Sequence, residues 1–262
     1  MKRFIAFLSA AFIVATSACA STEESKIDRV LSKMSDRARR EISITDKGKF
    51  ISDLNKVIAI EKKEAEATGE LGLLYLIDKT HGKLSADYEP KNLVSVENKK
   101  LYKVSKAGMQ IRKDVKEKLE EMVHAYDKDT GAALFIVSSA YRSYSYQKWL
   151  FQHWVDVDGL EEAERESARA GTSQHQLGVA LDFGSITNEF AQTLQGKWMY
   201  EHAWEHGFSL SFPKGYEPDT GFMWESWHFR YIGVEACKLQ RTYFNDVQQF
   251  MLEFIELWKH EK

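Results

Sequence analysis

Four side chains in the second half of the chain have the types and order of a hydrolytic metal site: His175, Asp182, Glu225 and His228. Two imidazoles and one carboxylate suffice to hold a catalytic zinc, which keeps a further position open. His175 and Asp182 lie on either side of a glycine-containing turn into a strand, and His228 comes from a separate strand, so all three potential ligands sit on rigid elements. Zinc lowers the pKa of bound water to about 7. Glu225, three residues before His228, is the natural general base for that water. Arg142 is the best cation to face a developing oxyanion.

The elements that must position these residues follow from pattern. Gly178, Ala180 and Asp182 share parity, so in a strand they face one side, and the small residues let that side approach a neighbour. Trp227, Phe229 and Tyr231 alternate with His228 and Arg230, the period of a strand. Leu134 to Ser138 is a buried strand, with Tyr141-Arg142-Ser143 at its exit. The apolar run Leu73 to Ile77 reads as another, followed by a loop from Asp78 to Pro90. Helical periodicity runs from Val104 to Tyr126 and stops in a turn from Asp127 to Gly131. Tyr146–Val155, Glu161–Ala170 and Lys197–His206 read as helices, and Val234–Trp258 as one amphipathic helix. Strands and helices do not alternate regularly. The expected class is therefore α+β, a small antiparallel sheet carrying the zinc site, flanked by helices, with an N-terminal helical extension and a C-terminal helix.

The whole chain sets the limits. It has 262 residues, 44% hydrophobic and 29% charged, ample for one sizeable core. A formal charge of -3 offers no basic stripe for nucleic acid. Lys2 and Arg3 precede an apolar run from Phe4 to Val14 and then small residues, the pattern of a secretory signal over residues 1–20. Two cuts stand open: before Ser21, discarding Cys19, or at Cys19 itself, which a relaxed lipobox (Thr16-Ser17-Ala18-Cys19) would make a lipid-anchored N-terminus. Export to the periplasm, free or membrane-anchored, is expected. Cys237 would then be the one cysteine left after a cut before Ser21, a buried small hydrophobe. Residues 21–70 carry helical apolar spacings and read as two helices that tether the catalytic domain or pack on its back. The run Glu61 to Glu66 reads as a solvated face. Residues 71–262 form the zinc domain.

Taken together, the motifs resemble the VanY-type D-alanyl-D-alanine carboxypeptidases, zinc peptidases of bacterial cell-wall stem peptides. Ser138 to Tyr144, with Gln147, is similar to the family's SxYRS segment, and Ser173 to Asp182 to its SxHxxGxAxD motif. Phe212-Pro213-Lys214-Gly215, Thr220-Gly221 and Glu225 to Gly233 match its closing block, and Leu74 to Val94 its entry strand and loop. The resemblance covers roughly residues 71–233, with Ser226 and Ala170 standing where proline is common. It implies one zinc per chain on His175, Asp182 and His228, Glu225 as base and then proton donor, and Arg142 on the scissile carbonyl. Ser173 is implied to contact the substrate's terminal carboxylate, and Gln147 to position the peptide.

The implied activity is removal of the C-terminal D-alanine from peptidoglycan stem peptides by a monomer. Cleavage of the L,D bond of a tetrapeptide, or of cross-bridges by an endopeptidase, would use the same residues. A non-catalytic zinc-containing envelope module, as in the hedgehog signalling domain that shares this general fold, is the other alternative; loss of Glu225 or Arg142 would favour it, and both are present. His202-Ala203-Trp204-Glu205-His206 spells a competing HxxEH motif, but its helix is short and stops at Gly207. His81, His124 and His153 have no ligand-like context. Trp149, Trp154, Trp198 and Trp204 lie at helical spacings that predict core packing, while Trp224 and Trp227 flank the base.

Overall fold

A computed structural model describes residues 23–131 and 134–261. The signal segment and Cys19 lie outside the described residues. Five strands form the central sheet, in the order β2 (Tyr102–Val104), β4 (Phe135–Ser139), β5 (Ala180–Phe183), β7 (His228–Tyr231) and β6 (Phe208–Leu210). The sheet is antiparallel except for the β2–β4 pair, which is parallel. A two-stranded ribbon of β1 (Leu93–Ser95) and β3 (Gln110–Arg112) lies apart from it. The α+β class stands, with one parallel pair added.

Helices pack around this sheet. They are α1 (23–32), α2 (Asp36–Glu41), α3 (Lys47–Thr68), α4 (Lys113–Thr130), α5 (Tyr144–Glu166, two helical stretches broken at Gly159 with φ 83°, as the pattern expected), α6 (Leu194–His202), α7 (Glu217–Thr220), α8 (Val234–Tyr243) and α9 (Gln248–His260). Short polar side chains start several of them by accepting a free backbone N–H: Asp46 for α3, Ser143 for α5 and Thr193 for α6. One core joins the sheet to α4 and α6 through residues such as Leu119, Phe135, Phe183 and Trp198. A second core joins α1–α3 to α8 and α9 through Val30, Phe50, Leu54, Phe244 and Phe254. Among the described residues the N-terminal helices are three, not two, and they pack on the C-terminal pair. Cys237 is buried there, and burial pushes its thiol well up.

Several elements differ from the pattern reading. Leu73–Ile77 forms no strand; its backbone is held by side chains instead of a ladder. The Arg230 guanidinium donates through Nη2 to Leu73 O (2.6 Å) and Tyr75 O (2.8 Å), and Glu61 Oε1 accepts from Leu74 N at 2.8 Å. Glu61 thus turns inward, away from the solvated face expected for its run. The helical periodicity after Val104 begins only at Lys113, because β3 and Gly108, with φ 76°, come first, and it continues to Thr130. The tail is two helices. Asn245 and Asp246 adopt positive φ (52° and 57°) and turn the chain between α8 and α9.

Candidate metal centre

Sheet register brings two of the expected ligands together. Asp182 on β5 lies directly opposite His228 on β7, so their side chains share one face of the sheet. His175 arrives on a 3-10 turn, Gln174–Leu177, immediately before β5. Ser173 caps that turn, its Oγ accepting from His175 N at 3.3 Å. Gly178 ends it in the left-handed conformation (φ 69°), returning its N–H to His175 O.

Both imidazoles are oriented by a carbonyl oxygen. His175 Nδ1 donates to Ala140 O at 2.7 Å, which leaves Nε2 as a bare lone pair, 3.3 Å from Asp182 Oδ2. That Nε2 is buried and has no hydrogen-bond partner. His228 Nε2 donates to Gln174 Oε1 at 3.1 Å, which leaves Nδ1 facing Asp182 Oδ1 at 3.0 Å. Two nitrogen lone pairs thus converge on a carboxylate, an arrangement of acceptors that repel one another unless a cation lies among them. The donor set, two neutral imidazoles and one carboxylate, fits zinc.

The electrostatics agree with a ligand role. Burial, reinforced by the Arg142 charge, lowers His175 to about 4, so it is neutral and able to bind metal. Burial works against ionisation of Asp182, but the Arg142 guanidinium that donates to its Oδ2 favours the carboxylate, and Asp182 lies well below the usual carboxylate range. Glu225 is pushed well above that range by burial first and the Asp182 charge second. Its Oε2 lies 3.6 Å from His228 Nδ1. A carboxyl so placed, beside the ligands and favouring its proton-holding form, can exchange protons at the site.

Arg142 donates to Asp182 Oδ2 (2.6 Å), to Ser139 Oγ (3.1 Å) and to Gln147 Oε1 (3.4 Å). His175, Asp182, His228, Glu225, Arg142 and Ser173 all line one cleft of about 450 Å³. Gln147 does not. It is fully buried, and its Nε2 donates to Ser167 Oγ and Ala168 O, so it braces Arg142 from behind instead of touching a peptide.

Gln174 is the residue that motif reading passes over. Its Oε1 holds His228 and also accepts from Ser211 Oγ at 2.8 Å, while its Nε2 donates to Gln248 Oε1. Its place beside His175 was visible, but its partners come from distant segments. His202 and His206 of the HxxEH segment instead pack on Trp198, with ring centroids 5.1 and 6.1 Å away. Among the described residues one other group has ligand-like spacing, Asp78, His81 and Glu253. There Asp78 is already saturated by Thr80 N, His81 N, His81 Nδ1 and Gln249 Nε2. Trp149 departs from the core placement expected of it and is 57% exposed, whereas Trp154 and Trp227 line the cleft.

Known proteins carry the same arrangement of sequence and fold. The family model described as VanY, D-alanyl-D-alanine carboxypeptidase, matches residues 108–234. A Bacillus subtilis (strain 168) protein named "Putative carboxypeptidase YodJ" is 31% identical over 230 residues, covering 86% of this chain and 81% of that protein. The solved structure of the LdcB LD-carboxypeptidase is 32% identical with a TM-score of 0.59, covering 70% of this chain and 86% of that one. The vancomycin-resistance D,D-pentapeptidase VanY from a VanB-type cassette, solved in complex with Zn(II), is 26% identical with a TM-score of 0.52, covering 64% and 92%.

Proposed function

The chain belongs to the VanY family of D-alanyl-D-alanine carboxypeptidases, and from that membership we propose that it removes the C-terminal D-alanine from peptidoglycan stem peptides. The observation that carries the reading is the convergence of His175 Nε2 and His228 Nδ1 on the Asp182 carboxylate, with Glu225 beside them. These three ligands would hold one zinc, which when bound supplies Lewis acidity and activates water.

The remaining roles fall to the chain's own groups. Glu225 takes a proton at its carboxylate and returns it to the departing amine. Arg142, braced by Gln147 and Ser139, offers its guanidinium to the carbonyl oxygen as charge builds there. Ser173 lines the cleft at the cap of the His175 turn, within the wall that a terminal carboxylate would meet. Residues 1–20 act as the export signal, and the protein works outside the cytoplasm, either free in the periplasm or lipid-anchored at Cys19. Residues 71–262 carry the zinc domain, and the enzyme acts as a monomer.

A second reading, cleavage of the L,D bond of tetrapeptide stems, is favoured by the likeness to the LdcB LD-carboxypeptidase. Both readings are tested by incubating zinc-loaded protein with pentapeptide and tetrapeptide stems and identifying products by mass spectrometry. Release of D-alanine from the pentapeptide supports the first and from the tetrapeptide the second. Release from neither, with Glu225→Gln indistinguishable from the parent, overturns both and leaves the non-catalytic module.

A further inference from the structure

The loop that follows Leu73–Ile77 is held at a fixed point. Asp78 accepts from Thr80 N (2.7 Å), from His81 N (2.6 Å) and, across to α9, from Gln249 Nε2 (2.7 Å), which anchors the backbone around Lys79. From there the half-buried Lys79 side chain reaches the end of α5. A helix leaves its last four carbonyls without an intrahelical donor. Two of those in α5 find donors here: Glu164 O accepts from Lys79 Nζ, and Arg165 O accepts from Met223 N at 3.0 Å. The ammonium also suits the negative end of the helix dipole. Lys79 Nζ donates in addition to Gly221 O and lies 4.3 Å from the centroid of the Phe222 ring. The approach is close, since a Cβ on Gly221 would stand 3.3 Å from Lys79 Cδ. Lys79 thus ties the end of α5 to the start of the segment between α7 and β7.

That segment carries Glu225, and ring contacts run on from Phe222 to the metal centre. The Phe222 ring packs on Phe212, with centroids 4.6 Å apart, and Phe212 packs on the His228 imidazole at 4.8 Å. The Phe212 carbonyl also accepts from Glu225 N at 3.1 Å. Two rings therefore separate the Lys79 ammonium from a candidate metal ligand, and the second of them holds the backbone of the proton-handling carboxyl. Phe212 and Phe222 belong to the cleft wall, whereas Lys79 lines a separate groove with Lys83 and Lys148.

We propose that Lys79 is a positioning residue for the reaction. By holding Gly221 and Phe222 against the end of α5, it sets the pose of Phe212 and, through Phe212, of the His228 ring and Glu225. Lys79 meets neither the substrate nor the reacting atoms. The proposal rests on the carboxypeptidase reading only for the identity of the reaction.

The test compares Lys79→Met, which keeps an apolar stem and loses the donor, with Lys79→Arg, which restores a donor. In the zinc-saturated full chain, Lys79→Met should lower kcat about tenfold and leave KM within about threefold, as a small misplacement of reacting groups requires. Lys79→Arg should recover most of the loss. In a double-mutant cycle, Lys79→Met combined with Phe222→Leu should cost no more than the larger single loss, because both break one chain of contacts. Replacement of zinc by cobalt(II) gives a readout that does not need turnover: Lys79→Met should shift the visible ligand-field bands, and Lys79→Arg should return them to the parent positions. An unchanged kcat and unchanged cobalt bands, with only a lower Tm, overturn the proposal. So does a rise in KM at constant kcat. Should Lys79→Met fail to fold, Phe222→Leu is read alone, and a parent-like kcat and spectrum overturn the proposal. A parent protein that turns over no stem peptide sinks the carboxypeptidase reading, while the cobalt bands still decide for or against Lys79.

Discussion

Asp182 and His228 face each other across β5 and β7 as an opposed pair, with Asp182 Oδ1 3.0 Å from His228 Nδ1. Strand pairing therefore sets the spacing between two candidate metal ligands before any side chain has chosen a rotamer. His175 joins them through a turn fixed at both ends, by Ser173 and Gly178. Such a site is assembled by the backbone, and its energetic vulnerability lies in the carboxylate that both imidazoles address.

Asp182→Asn should abolish stoichiometric zinc. The amide keeps one weak acceptor but loses the charge that two buried imidazoles and Arg142 address. Metal analysis after gel filtration should fall from one zinc per chain to under about a tenth, and kcat/KM by at least about a thousandfold, as loss of several kcal/mol of Lewis-acid stabilisation requires. Chelation of the parent protein should give the same inactive state and lower its Tm, because a ligand bound only by the folded state stabilises it. Retained zinc in the variant would contradict the ligand assignment.

Gln174→Ala should weaken the metal without removing a ligand. With no acceptor at Nε2, His228 is free to swap tautomer and present a proton where the lone pair now points. Zinc affinity by competition with a chromogenic chelator should drop about 10- to 100-fold. Saturating zinc should restore most of the kcat, which distinguishes an orienting residue from a catalytic one.

Arg230→Met should destabilise the fold through the segment it supports. The carbonyls of Leu73 and Tyr75 would lose their shared donor, and an unsatisfied buried acceptor costs about 1–3 kcal/mol. Part of that loss is offset, because Nε and Nη1 of Arg230 are themselves buried without partners. Urea denaturation should register a lower midpoint with an unchanged slope. An unchanged midpoint would show that the segment holds itself.

Asp78 supplies a prediction with a pH sign. Burial opposes its ionisation, but hydrogen bonds from His81, Thr80 and Gln249 outweigh burial and lower its pKa in the folded protein. A carboxylate with a depressed folded pKa contributes stability above its unfolded value, about 3.9, and that contribution is lost as pH falls through the folded value. Asp78→Asn should therefore cost about 1–3 kcal/mol at pH 7, the range for an unsatisfied buried polar group. The gap to the parent should close in acid below about pH 4. A gap constant from pH 7 into acid would place the cost in packing instead.

Much of the site was legible because its residue types are chemically restrictive. His175, Asp182, Glu225 and His228 are few, polar and set against strand-like alternation, and the fold brings all four to one cleft. What escaped was the support behind them. Gln147 was singled out for the peptide and not for Arg142, and Gln174 was passed over; both are amides whose partners lie across the fold, at Ser167 and Ala168 for one and Ser211 and Gln248 for the other. The Leu73–Ile77 run failed as a strand for a similar reason. An apolar run announces burial, but whether a ladder or an arginine satisfies its carbonyls depends on residues more than 150 positions away.

The second core has a bearing on where this protein begins and ends as a folding object. β7 carries His228 and runs through Gly233 straight into α8, whose inner face, with that of α9, is covered by α1 to α3. Arg29 on α1 and Lys33 in the turn that follows it close the arrangement against Glu261, beyond the end of α9. The block of sequence that matches the family, residues 108–234, contains His175, Asp182 and His228 yet none of α1–α3 and only the first residue of α8. A fragment trimmed to that block would keep its chemistry on paper and present the bare inner end of its last strand to water. The borders of the catalytic unit and of the cooperative unit do not coincide, and expression designs should follow the second.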